Sequence, residues 1–469
     1  MATTGTPLTT WDRLSKAVFE IGGEDQTAAL KKEFPQAPAE GSESDRLDNK
    51  WKEFVKNTGI RIGVLLKTDN ISFLIAAGAS KAAGGVLLGS VPKEVERQLI
   101  AEGVKGEKAE EWLKLFYSAV LTVQKSTDSA TDQWIAARAR AATELKVNFE
   151  QVLVCLYRWL AALRSSDDTL KLENAPAVTA KHEQLKNALT KAKQALVSVC
   201  KLPASGIASS QTHKDFLKKV LTRPLNLKRA NVFTLNYDTL IEQAADADGV
   251  VLIDGFIGTV RRTFRPESFD QDLYFPAETT EGRVHRLERV IHLYKLHGSI
   301  NWAAEDATWD NPYGVTAVQG ESIPPESVLI YPTPTKFGDV LGMPYAELFR
   351  RFAASVVRRQ STLFVIGYSF GDDHVNAIVR QALAIPSFSL VIVDPYAPKA
   401  GDGTGFVSTL RGQKDRRVWV ISGEALGFFA QFVDVLLPDL RDEEILGKVM
   451  KTFSALGAYG PNDSAGDNV

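Results

Sequence analysis

The spacing of apolar residues changes character along the chain. From 9 to 66, Trp11, Leu14, Val18 and Phe19 recur at helical spacing, as do Trp51, Phe54 and Val55, so this stretch is expected to be helical. Ile71–Ala77 (ISFLIAA) is an apolar run of strand length, and small residues follow it from Gly78 to Gly89. From Pro92 to Leu225 the helical period returns. Leu113, Phe116, Tyr117, Val120 and Leu121 form one stripe. Phe149, Val152, Leu153, Leu156, Trp159, Leu160 and Leu163 form a stronger one, and 168–200 is rich in Lys, Ala and Leu. After Leu225 short apolar runs alternate with loops. Strands are expected at Val232–Leu235, Ile291–Leu296, Val328–Tyr331, Thr362–Ile366, Leu390–Val393 and Val418–Ile421, with helices after Asn236, Gly342 and Asp372. Residues 254–288 read as irregular, 303–325 as a long loop, and the polar tail from Gly457 as disordered.

These elements predict an α/β fold: a Rossmann-like parallel sheet with a large inserted helical module and N-terminal helices. The expected units are N-terminal helices over 1–66, a sheet domain over 67–91 and 226–425, the helical module over 92–225, and a C-terminal helix with its tail over 426–469. Composition adds limits. Apolar residues make up 44% of the 469 positions, enough for a sizeable core, and the net charge of −2 argues against a chain dominated by nucleic-acid affinity. The two cysteines, Cys155 and Cys200, build neither a disulfide framework nor a four-cysteine zinc site, and suit a reducing cytoplasm. No signal peptide is read at the start, and no apolar run reaches the roughly 18 residues of a membrane span.

The chemistry gathers where the apolar runs end. AAGAS (Ala76–Ser80) is a small-residue turn whose amides suit a phosphate, or simply a strand–helix turn. In TLNYDT (Thr234–Thr239), Asn236 carries an amide able both to donate and to accept, while Asp238 also suits a helix cap. His297, in KLHGS, is the one histidine of six that ends an apolar run and precedes Gly. It is a candidate proton acceptor, with a structural histidine as the plainer reading. GYSFGDD (Gly367–Asp373) is a second Gly-Ser turn in which Asp372 or Asp373 suits a helix cap. Asp394 ends LVIVD, where an acidic group either binds ribose hydroxyls or makes an Asp-Pro turn. Together these strand ends suit a dinucleotide.

In this order the motifs resemble the sirtuin, or silent-information-regulator, superfamily of NAD-consuming enzymes. AAGAS is similar to its GAGxS loop, TLNYD to its T-Q-N-x-D segment, LHGS to its catalytic H-G, GYS to its phosphate turn, and VDP to its adenosine-side strand. The resemblance covers roughly 70–100 and 228–425. Ala76 replaces the first loop Gly, Leu235 replaces the Gln before Asn236, and the P-D-F-R segment and both CxxC zinc pairs are absent. This pattern is more similar to the bacterial antiphage-defence branch, which hydrolyses NAD+. The resemblance implies Asn236 and His297 as the catalytic pair. It implies NAD+ contacts from Ala77, Gly78, Ala79, Ser80, Thr234, Asp238, Gly367, Ser369 and Asp394, with NAD+ as substrate and no zinc. Because only a short stretch follows the last core strand, it further implies a separately encoded HerA-type hexameric ATPase as partner and a homo-oligomer. Nucleic acid would be met only through that partner. The expected activity is NAD+ glycohydrolysis in abortive infection. The alternatives are a protein deacylase or ADP-ribosyltransferase, and a non-catalytic NAD or ADP-ribose sensor or scaffold.

Overall fold

A computed structural model describes residues 8–141, 144–163, 168–174, 179–202, 210–275, 285–318, 327–329, 344–442, 445 and 447–452. Nine strands form the main sheet: β1 (Val18–Ile21), β2 (Glu24–Asp25), β3 (Asn70–Ile75), β4 (Asn231–Thr234), β5 (Val251–Ile253), β6 (Val290–Lys295), β7 (Ser361–Ile366), β8 (Phe388–Val393) and β9 (Val418–Ser422). Their spatial order is β2-β1-β9-β8-β7-β3-β4-β6-β5. The seven strands from β9 to β5 run parallel, and β1 and β2 close one edge antiparallel. The expected α/β architecture is therefore present.

The strands read as continuous apolar runs because both faces of the sheet are covered. Along β3, Phe73 and Ile75 enter one core with Phe216, Phe364 and Phe432, while Leu74 and Ala76 enter the other with Phe233, Phe352 and Val365. The first face is covered by helices Ser42–Leu66, Gln211–Val220 and Leu240–Asp248, and the second by helices Tyr345–Val356 and Asp373–Leu383. A third core joins helices Val91–Gly103, Glu111–Gln124, Phe149–Ala162 and His182–Cys200. Helix Gln211–Val220 buries Phe216, Leu217 and Val220 with the sheet and not with this helical group. Among the described residues no helix is long and apolar enough to cross a membrane.

Three expectations need correction. Val18 and Phe19 are strand, not helix: β1 pairs along the edge of β9, which satisfies its backbone more fully than an isolated helical turn would. The cue lay in Gly22-Gly23, both at positive φ, which make the two-residue turn into β2. Second, the stretch read as irregular contributes Phe256–Ile257 and Arg262–Phe264 to a second, five-stranded sheet. Third, the loop read over 303–325 contributes Val315–Ala317 to it, beside Gly298–Ala304 and Ser327–Leu329. These strands are too short for periodicity to reveal. The tail from Gly457 and residues 330–331 lie outside the described residues.

Candidate active site

Strand order reverses between β3 and β7, and ligands of open α/β sheets bind beyond the carboxyl ends of the strands at such a switch point. Register places Lys295, Thr234, Ile75, Ile366, Val393 and Ile421 in one row across the sheet. His297 lies two residues past this row, beyond the end of β6, Asn236 two past it beyond β4, and Asp394 one past it beyond β8. The motifs are thus level with one another at one edge.

Asn236 is held by a relay between β3 and β4. Its backbone N–H donates to buried Thr234 Oγ1 at 3.0 Å, and its side-chain Nδ2 donates to Ser80 Oγ at 2.9 Å. Ser80, 3% exposed, donates in turn to Asp238 Oδ2 at 2.7 Å. The other Asp238 oxygen accepts from Leu240 N at 3.1 Å, at the start of helix Leu240–Asp248. Asp238 thus braces the relay and the first turn of the helix, whose N-cap residue is Thr239. The Ser80 hydroxyl is thus a buried bridge between an amide and a carboxylate.

Lys295, unmarked in the sequence reading, anchors the same turn from below. Its ammonium, 3% exposed, donates to the Asp238 carbonyl and to Glu242 Oε1, the latter at 2.7 Å. Burial raises the Glu242 carboxyl above its usual range, and the Lys295 charge pulls it back. The signal was available: a lysine inside an otherwise apolar strand is rarely buried without a partner.

His297 sits where the chain leaves the main sheet for the second one. Gly298, at φ 87°, makes the change of direction and starts the strand Gly298–Ala304. The amide of Ile300 donates to the Tyr237 carbonyl at 3.0 Å, tying this strand to the Asn236 turn. The imidazole is 5% exposed, and its Nε2 lies 3.2 Å from Asp372 Oδ2. The rings of Tyr237 and Phe349 flank it at 6.4 and 6.2 Å.

The two Gly-containing turns meet each other. Gly78 N donates to Gly367 O at 3.0 Å, and a Cβ on Gly78 would lie 2.7 Å from Gly367 Cα. Gly367, at φ 65°, has no room for one either, with Ala79 N at 2.6 Å. Ala76 adopts extended backbone with φ −128°, so the missing first Gly of the loop costs nothing. The amides of Gly78, Ala79 and Gly367 donate to Gly367, Ala76 and Val393 carbonyls. These three amides thus tie the two turns and β8 together. Among the described residues the amides of Tyr368, Ser369, Phe370 and Gly371 donate to no backbone carbonyl, and Ser369 is exposed.

Asp394 is half-buried at the end of β8, and its Oδ1 accepts from Tyr396 N at 2.9 Å. Burial raises its carboxyl, and that amide pulls it back. Beside it Tyr396, 64% exposed, meets Phe428 edge-on at 5.9 Å, and the Lys81 ammonium lies 5.7 and 5.8 Å from the two ring centres. His374, in the first turn of helix Asp373–Leu383, donates its amide to Asp372 Oδ1. Cys155 and Cys200 are free, and burial pushes their thiols up to about 11 and about 12. Among the described residues no cluster of three or more His, Cys, Asp or Glu side chains is arranged to hold a metal ion.

Residues 230–402 match the family model of the SIR2-like domain. The match takes in the Asn236 turn, His297, Gly367–Asp373 and Asp394, and supports a sirtuin-like domain in this part of the chain. Such a domain fits an NAD-utilising enzyme. No curated protein matches the chain.

Proposed function

We propose that this protein is an NAD+ glycohydrolase that converts NAD+ and water to nicotinamide, ADP-ribose and a proton. The observation that carries the proposal is the juxtaposition at the switch point. A fixed carboxamide, Asn236, and a buried imidazole, His297, leave adjacent strands at the same level. Cleaving the bond between nicotinamide and ribose leaves an oxocarbenium-like sugar, which needs electrostatic stabilisation and exclusion of stray water. Asn236, oriented by the bond from its Nδ2 to Ser80, would offer its carbonyl oxygen to a ribose hydroxyl or the attacking water. His297 takes the proton released as that oxygen bonds to the sugar. The amides of Tyr368–Gly371, which donate to no backbone carbonyl among the described residues, serve the diphosphate, and Asp394 the adenosine ribose. The zinc pairs of protein deacylases have no counterpart in a chain with two cysteines, which favours water over an acylated peptide as acceptor. Depletion of cellular NAD+ as an antiphage response, under control of a HerA-type ATPase and with self-assembly, completes the proposal.

The test is NAD+ turnover by the purified protein, alone and with such an ATPase, followed as nicotinamide release. General-base catalysis is worth about 10²–10⁴-fold. His297→Ala and Asn236→Ala should each lower turnover by at least about 10² with unchanged circular dichroism. Nicotinamide release only with an acylated peptide would establish a deacylase instead. NAD+ binding without turnover in both preparations would establish a sensor.

A further inference from the structure

We propose that Asp372 is a positioning residue for His297: it fixes the imidazole as the Nε2–H tautomer and stabilises the imidazolium formed when His297 takes a proton. This rests on the hydrolase reading for its consequence, but not for its geometry.

Of the two aspartates that suit a helix cap, Asp372 is the one that caps helix Asp373–Leu383, and one of its oxygens does that work, accepting from His374 N at 3.0 Å. Capping needs a single acceptor, which Ser, Thr or Asn supply about as well. The second oxygen lies 3.2 Å from His297 Nε2, with Asp372 6% and His297 5% exposed. A buried carboxylate is costly unless paired, so its use here needs a reason beyond the cap.

The turn that delivers Asp372 is built to hold that oxygen still. Phe370 has φ 57°, a conformation bulky residues rarely adopt, and such strain persists only where surroundings over-determine it. Three contacts do so. The Phe370 carbonyl accepts from buried Asn376 Nδ2 at 2.8 Å, and its ring stacks on Phe406 at 5.0 Å and lies 4.8 Å from that of Tyr368. The Tyr368 hydroxyl then accepts from Asp372 N at 2.9 Å and donates to Asp372 O at 3.2 Å. Burial, with the Asp372 charge adding to it, drives the Tyr368 phenol far above its ordinary range, so it stays a neutral hydroxyl. Asp372 thus approaches His297 along a fixed direction.

An acceptor-only carboxylate opposite Nε2 requires the proton there, which puts the basic lone pair on Nδ1. The rings of Tyr237 and Phe349 flank the imidazole, and a poorly solvated surrounding strengthens the pair. When His297 accepts a proton at Nδ1, the positive charge forms beside an anion already in place. Carboxylate–histidine pairs in nucleophilic catalysis follow the same logic, and replacing the acid by its amide there costs about 10⁴-fold through the wrong tautomer.

Asp372→Asn separates the two roles, since Asn also caps helices while its amide offers His297 a neutral contact. Long-range ¹H–¹⁵N spectra at pH 8 report the tautomer, with the His297 signals identified by their loss in His297→Ala. The expected results are an Nε2–H imidazole in the native protein, a shift toward Nδ1–H in Asp372→Asn, and a fall in NAD+ turnover of about 10²–10⁴-fold with an unchanged unfolding midpoint. Asp372→Ala should lose turnover and, with the cap removed, stability as well. A native Nδ1–H tautomer overturns the proposal, as does an Asp372→Asn protein that keeps the native tautomer and rate. If the native protein hydrolyses no NAD+ with or without its ATPase, the hydrolase reading falls, and the spectra still decide the role of Asp372.

Discussion

Ser80→Ala removes one oxygen atom and two hydrogen bonds from the centre of the site. The bond from Asn236 Nδ2 at 2.9 Å is neutral and worth about 0.5–1.5 kcal/mol. The bond to the Asp238 carboxylate at 2.7 Å is charge-assisted and worth about 1.5–3 kcal/mol. Asn236 and Asp238 are each half-buried, so water reaches both after the change, and Asp238 keeps its bond from Leu240 N. The lower ends of both ranges therefore apply, and the loss should be about 2 kcal/mol, roughly a 30-fold change in the folding equilibrium. Urea titration with an unchanged slope measures this. The kinetic consequence is separate. Without Ser80 the Asn236 carboxamide can rotate, and a misplacement of about 1 Å costs up to about 10²-fold. Turnover should fall between about ten- and a hundred-fold at saturating NAD+. Loss of stability with an unchanged rate would show that the relay braces the fold but does not aim Asn236. No loss of either would refute the relay itself.

Gly78→Ala places a methyl 2.7 Å from Gly367 Cα, where only backbone can yield, so the two turns must part. Over-packing of this kind costs about 1–3 kcal/mol, and the Michaelis constant for NAD+ should rise while Gly89→Ala, with nothing near its Cβ, leaves it unchanged. His213 gives a pH signature. It is 2% exposed against Phe429, its Nδ1 lacks a partner among the described residues, and burial lowers it to about 4, with the Asp238 charge opposing. The folded state binds this proton more weakly than the unfolded chain, so the stabilisation is complete above about pH 6.5 and is lost as pH falls toward 4. Urea titrations at pH 7.5 and 4.5 should show on the order of 3 kcal/mol of acid sensitivity that His213→Leu lacks. Glu242 and Asp394, raised in the fold, act in the opposite sense and cancel in that comparison.

Much of the sheet was legible because buried parallel strands are apolar on both faces. Asn70–Ile75, Ser361–Ile366 and Phe388–Val393 stand out for that reason. The motif residues stood out because they end those runs. The second sheet did not, since strands such as Phe256–Ile257 and Val315–Ala317 are too short for a period to be read. Lys295 passed unnoticed because its partners, Asp238 and Glu242, lie on another strand's loop and helix.

The chain by itself determined which residues lie at strand ends, because local hydrophobic period sets where strands start and stop. It also determined that Asn236, His297 and Asp394 are polar groups placed there. Only the tertiary structure decided what each one touches. Ser80 reaches Asn236 and Asp238 across more than a hundred and fifty residues of sequence, and Asp372 reaches His297 from a turn on the far side of β3 and β4. Pairings of that kind depend on strand order and on where a strained turn points, and no local pattern encodes either.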